Sequence, residues 1–226
     1  MDASLQNTKI SYQKFLSKIF KWMFIGLAIT TLTSILLSFI GVKYLSEATF
    51  FMIVILVTII EIVMVIILAK KLSDLSVQSA KKYFYIYSVI NGVTISFLLS
   101  IIDPFISVLA FALTCALFGL LYAIATHTTY DFTSIGNMCL TSLPILILGY
   151  IILFFIQAPL LFYIVIFIDL ALFVGITLYD IQQIEVMYNE ATDSTVESFA
   201  MIGALNLYMD FINIFIDILL IIADGS

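Results

Sequence analysis

Five acids lie within long apolar stretches of this sequence: Glu61, Asp169, Asp180, Asp210 and Asp217. In hydrocarbon an ionised carboxylate costs about 2.5–3.5 kcal/mol on insertion scales, so each needs a proton, a cation or a bound metal ion for company. The usual counter-charge is missing, because the chain has no arginine and no lysine follows Lys82. A single membrane aspartate often does no more than lock two helices through a hydrogen bond. Five without a nearby cation point instead to proton- or cation-linked chemistry.

Spacing places these acids on shared faces. In ALNLYMDFINIFIDIL (Ala204–Leu219), Asn206, Asp210, Asn213 and Asp217 recur at intervals of four, three and four, which in a helix is one polar stripe. Asp169 and Asp180 are eleven apart, three helical turns, and also share a face. Each of Asp180 and Asp210 closely follows a tyrosine, and their depths from the nearest polar loop overlap. Two facing stripes would make a hydrophilic seam between the last two helices.

The elements that must position these residues are membrane spans. Apolar and aromatic residues make up 63% of the 226 and charged residues 11%, against about a quarter charged in soluble domains. So few polar side chains cannot cover a soluble globule, and the fold class expected is an all-α polytopic membrane protein. Seven runs approach the roughly 20 residues a bilayer needs: Trp22–Val42, Thr49–Ala69, Tyr83–Ile102, Phe105–Thr126, Met138–Ile156, Leu160–Met187 and Ser198–Ala223. Asp103-Pro104 and Gln157-Ala158-Pro159 mark tight turns. A single seven-helix domain over 1–226 is expected, with 1–21 as a cytoplasmic amino-terminal segment and the first run a retained span. Lysines 9, 14, 18, 21, 70, 71, 81 and 82 fall on the side of the amino terminus and only Lys43 opposite, which places that terminus in the cytoplasm.

Other chemistries find little support. Cys115 and Cys139 lie in apolar runs and read as packing residues. The single His127 sits in a loop, with no G-x-S-x-G or H-E-x-x-H pattern nearby, so it reads as a loop anchor and no enzyme is expected. A retinal protein would need a lysine in the last helix. Nucleic acid is not an expected partner for a chain without arginine.

FGLLYAIATHTTYDFTSIG (Phe118–Gly136), GITLYDIQQI (Gly175–Ile184) and ALNLYMDFINIF (Ala204–Phe215), in that order, resemble the Bax inhibitor family, a bacterial-type member. The resemblance implies a seven-helix bundle with the last helix central and a pH-sensitive calcium leak. In that family an aspartate pair on the last two helices governs the leak, and its positions match Asp180 and Asp210. The family's acid in the second span matches Glu61. Family members carry an arginine near the cytoplasmic end of that span, where this chain has Lys70 and Lys71, which lack the bidentate guanidinium. Asp169 and Asp217 go beyond the family pattern and, with Glu61, Asn206 and Asn213, are expected along the ion path.

A mechanism follows from the pair. Two carboxyl groups brought close share one proton, pinning their helices; losing it leaves two like charges and frees hard oxygens for Ca²⁺. Ca²⁺ normally takes six to eight oxygens, so Asp180 and Asp210 are expected to bind it transiently, as a transported ion, with no resident cofactor. The partners expected are the lipid bilayer, Ca²⁺ and protons. Two rival readings remain: a proton-coupled cation transporter, for which Asn91-Gly92 and Pro144 would mark broken helices, and a membrane scaffold in stress survival.

Overall fold

The structure, a computed structural model, describes residues 10–40, 46, 49, 52–53, 55–60, 63–64, 77–156 and 158–224. Among these residues there is no strand. Six long helices follow one another: α1 (Tyr12–Ile40), α2 (Val77–Ile101), α3 (Pro104–His127), α4 (Thr133–Ile156), α5 (Pro159–Glu190) and α6 (Val196–Asp224). All six are long and apolar enough to cross a membrane. They correspond to the first and the third to seventh apolar runs, and residues 55–60, within the second run, are helical too. The protein is an all-α, multi-pass integral membrane protein.

Helix ends follow the local chemistry. At the start of α3, Pro104 takes the first helical position and the Asp103 side chain accepts the Phe105 N–H at 2.7 Å. At the start of α4, Asp131 Oδ1 accepts the Thr133 N–H at 2.9 Å. The Thr133 hydroxyl and backbone N–H together hold the Asp131 carboxyl below its ordinary value. That cap is therefore complete above the ordinary carboxylate range and is lost as pH falls through the lowered value.

α1 starts ten residues earlier than the apolar run at Trp22 suggested. The reason is a buried seam, Phe15, Ile19 and Met23 at intervals of four, which lets the lysine-bearing prefix continue the helix while Lys14 and Lys21 stay exposed. Nor are α2 and α4 broken: α2 runs through Asn91-Gly92, and α4 through Pro144. Of the six helices α6 is the most enclosed, with 56% of its apolar window buried against 17% in α4. α4 instead turns side chains such as Ile145 and Phe155 outward, as lipid contact requires.

The chain divides into two compact units, one of Met1–Ile101 with Ile184–Asn206, the other of Ile102–Gln183 with Leu207–Ser226. In the first, α1 packs on α2. Thr30 donates its hydroxyl proton to the Ser88 carbonyl at 2.9 Å, and the backbones approach so closely at Gly92 that a Cβ there would sit 2.8 Å from the Thr30 carbonyl oxygen and 2.6 Å from Thr33 Cβ. Glu197, at the start of α6, pairs with Lys18 of α1 and, at 3.2 Å, with Lys81 of α2. Lys81 Nζ also lies 4.5 Å from the centroid of the Trp22 ring. The amino-terminal ends of α1, α2 and α6 thus share one face, the parity required if runs one, three and seven start on the same side. Partial exposure limits each of these ion pairs to about 0–1 kcal/mol; their value is in fixing helix register.

Because the atoms facing Gly92 are a Cβ and a backbone oxygen, neither of which can swing aside, Gly92→Ala is expected to destabilise the protein by about 1–3 kcal/mol through overpacking. Gly119→Ala, with nothing within 4 Å of the added carbon, serves as the neutral control. Thermal unfolding of both variants in detergent or nanodiscs measures the difference.

Candidate functional site

Four aspartates of α5 and α6, Asp169, Asp180, Asp210 and Asp217, belong to the second unit and are buried: Asp180 is 8% exposed and Asp210 2%. Asp180 is the neighbouring carboxylate whose charge bears on Asp210. Thr177, one turn before Asp180, also meets Asp210 through its side chain. Its hydroxyl donates to the Phe173 carbonyl of its own helix at 2.7 Å. Asp210 Oδ2 is enclosed and has no hydrogen-bond partner. The expected juxtaposition of Asp180 with Asp210 is present in this geometry, and a further hydroxyl comes with it.

The remaining stripe residues separate. Asp217 and Asp169, 2% and 8% exposed, lie within electrostatic reach of each other. Asn213 spends its amide N–H on the Met209 carbonyl, one turn back, at 2.8 Å. Asn206 is half-buried on the part of α6 that belongs to the first unit. Glu61, Lys70 and Lys71 lie outside the described residues. His127 caps the end of α3, its ring Nδ1 2.9 Å from the Ala123 carbonyl, consistent with a loop anchor.

The motif segments of the second unit interlock. Gly136 of α4 presses against Tyr179 of α5, where a Cβ would overlap the tyrosine side chain. Gly175 of α5 does the same for Cys139 of α4, whose Sγ would lie 2.7 Å from an added Cβ. Absent side chains on alternate helices let the two backbones approach, a packing device common between membrane helices. On the other flank the Phe211 ring of α6 meets Phe118 and Phe111 of α3 edge-on, with centroids 5.6 and 5.7 Å apart. Asp180 and Asp210 are therefore carried on helices held by contacts between the three quoted stretches.

Residues 12–226 match the family model described as "Inhibitor of apoptosis-promoting Bax1". The chain belongs to the Bax inhibitor family. Among its relatives is the inner membrane protein YbhL of Escherichia coli K12, 26% identical over 221 residues, or 96% of this chain and 94% of that protein. A protein of Borreliella burgdorferi is 30% identical over 211 residues, covering 91% of this chain and 90% of the relative. A membrane protein of Streptococcus pyogenes serotype M1 is 29% identical over 161 residues, 71% of this chain and 70% of its own length.

One positioning residue in the Bax inhibitor motif escaped sequence reasoning. Gln182, two residues after Asp180, accepts the Phe132 N–H at 2.9 Å and donates to the carbonyls of Tyr130 at 2.8 Å and Ala125 at 3.4 Å. It clamps the end of α3 and the α3–α4 loop onto α5. Only its place in a motif could have drawn notice, since a glutamine near a helix end is ordinarily solvated. Gln182→Leu is expected to leave that loop backbone unsatisfied, lowering stability by about 1–3 kcal/mol. Amide exchange at residues 130–132 should rise, while Gln182→Glu, which keeps the acceptor for Phe132, should give an intermediate effect.

Proposed function

We propose that this protein is a pH-sensitive calcium leak of a bacterial plasma membrane, gated by a proton shared between Asp180 and Asp210. The observation that carries the reading is the burial of these two carboxyl groups beside each other on consecutive helices, with Asp210 Oδ2 left unpartnered. No lysine or arginine on α3 to α6 can neutralise them.

Two like charges at this depth repel, so the closed state holds one proton between them and α5 stays against α6. Thr177 lies against the pair, its side chain meeting Asp210 while its hydroxyl proton goes to the Phe173 carbonyl. When the pair loses its proton, repulsion favours separation of the helices and the freed carboxylates attract Ca²⁺ along the path. With few oxygens and water completing the shell, binding is weak and release fast, as conduction requires. No covalent chemistry and no resident cofactor enter this cycle. The lysine bias and the ion pairs of Lys18 and Lys81 with Glu197 support a cytoplasmic amino terminus. The bacterial relatives, one of them named an inner membrane protein, support the plasma membrane. Unbroken α2 and α4 lack the discontinuous helices on which many coupled transporters build their sites.

Purified protein in liposomes with a trapped calcium indicator tests the proposal. Flux driven by a calcium gradient alone should rise as pH increases through the range where the pair gives up its proton, with no opposing proton flux. Asp180→Asn and Asp210→Asn, each removing the repulsion, should flatten that response and cut flux on the order of tenfold or more, the change that about 1.4 kcal/mol of lost opening energy produces. Wild-type flux and wild-type pH response in both variants would rule out the gate.

A further inference from the structure

A second group of ionisable side chains is buried in the same unit, away from Asp180 and Asp210. Tyr150 of α4 donates its hydroxyl proton to Asp169 Oδ2 on α5. Asp217 of α6 lies within electrostatic reach of both Asp169 and Tyr150. Once the tyrosine bond is made, two enclosed oxygens remain without any hydrogen-bond partner, Asp169 Oδ1 and Asp217 Oδ2. Asp217, at 2% exposure, is beyond the reach of solvent that would otherwise satisfy it. An unpartnered carboxylate oxygen in such a place is a strong demand for a donor or a cation.

The candidates for that role narrow quickly. α3 to α6 carry no lysine or arginine, and the one histidine, His127, ends α3. The Tyr150 hydroxyl has only one proton, already given to Asp169. A divalent cation needs roughly six oxygens or more, whereas two carboxyl groups and a phenol offer fewer. Among the described residues no group of three or more His, Cys, Asp or Glu side chains is placed to hold a metal ion. What fits is a single proton, since two acceptors lacking a donor differ from a hydrogen-bonded carboxyl pair by one O–H.

We infer that Tyr150, Asp169 and Asp217 form a second proton-binding site, in which one proton taken from water is held between the two carboxyl groups while the tyrosine orients Asp169. Tyr150 faces it from α4, Asp169 from α5 and Asp217 from α6; Asp180 and Asp210, the other buried acids of α5 and α6, are three and two turns away, roughly 16 and 10 Å along their helices. The site joins three helices where the Asp180 and Asp210 pair joins two. Loss of its proton leaves two like charges on α5 and α6 and loosens that end of the unit. The site stands independently of any calcium flux.

Infrared difference spectroscopy of the full-length protein in nanodiscs, stepped in pH, tests this through the C=O stretch of protonated carboxyl groups. In an Asp180→Asn/Asp210→Asn background, a protonated-carboxyl band should persist. It should lose one carboxyl's amplitude on either Asp169→Asn or Asp217→Asn, and Tyr150→Phe should keep the amplitude but move the frequency upward. Asp217→Glu, which retains the carboxyl group while lengthening its arm, should shift the band without removing it. A background variant with no such band would overturn the site, as would a band indifferent to Asp217→Asn, Asp217→Glu and Asp169→Asn. Because calcium takes no part in the readout, failure here leaves the leak untouched, and failure of the flux experiment leaves this site untouched.

Discussion

Carboxyl groups enclosed in a membrane protein must be neutralised by something, and this chain places no lysine or arginine anywhere beyond Lys82. That constraint organises the second unit. The polar faces of α5 and α6 meet as pairs, Asp180 with Asp210 and Asp169 with Asp217, and a hydroxyl from a nearby turn or helix accompanies each pair, Thr177 in one case and Tyr150 in the other. Hydroxyls can give or take one hydrogen bond according to where the proton sits.

Holding such pairs in place takes precise backbone spacing, and the means are small residues and one clamp. Gly136 and Gly175 each accept a side chain of the opposite helix, so α4 and α5 lie closer than two Cβ-bearing positions would permit. Gln182 then ties the α3–α4 loop to α5, and the phenylalanine rings of α3 press on α6 from the other flank. The same sequence stretches that contain the aspartates also contain these contacts. The stretches that carry the family resemblance therefore hold packing contacts as well as buried acids.

The first unit follows a different physics. Among its described residues the charges that pair do so at one end and partly exposed: Glu197 with Lys18 and Lys81, and Lys81 with the Trp22 ring. Such pairs contribute little energy, but they record that α1, α2 and α6 begin at a common face. Between that face and the opposite one, Thr30 and Gly92 let α1 and α2 approach through backbone contact instead of large side chains.

Composition and apolar run length alone were enough to establish a helical multi-pass membrane protein, because hydrocarbon tolerates few ways of satisfying a backbone. Four intramembrane aspartates were legible as candidates for the same reason, and the structure buries all four: a charge is conspicuous where almost nothing else is polar. The stripe on α6 was legible as periodicity, yet periodicity could not say that Asn213 would turn its amide to its own helix or that Asn206 would fall in the other unit. The early start of α1 was hidden by lysines that solvate the outer side of a buried seam. Tyr150, Thr177 and Gln182 were invisible as partners, since a tyrosine, a threonine or a glutamine has no fixed meaning until another helix is brought to it. Local sequence decides which segments are helical and which residues are costly to bury. Only tertiary packing decides which of those costs are met by a neighbour and which oxygens are enclosed without a partner.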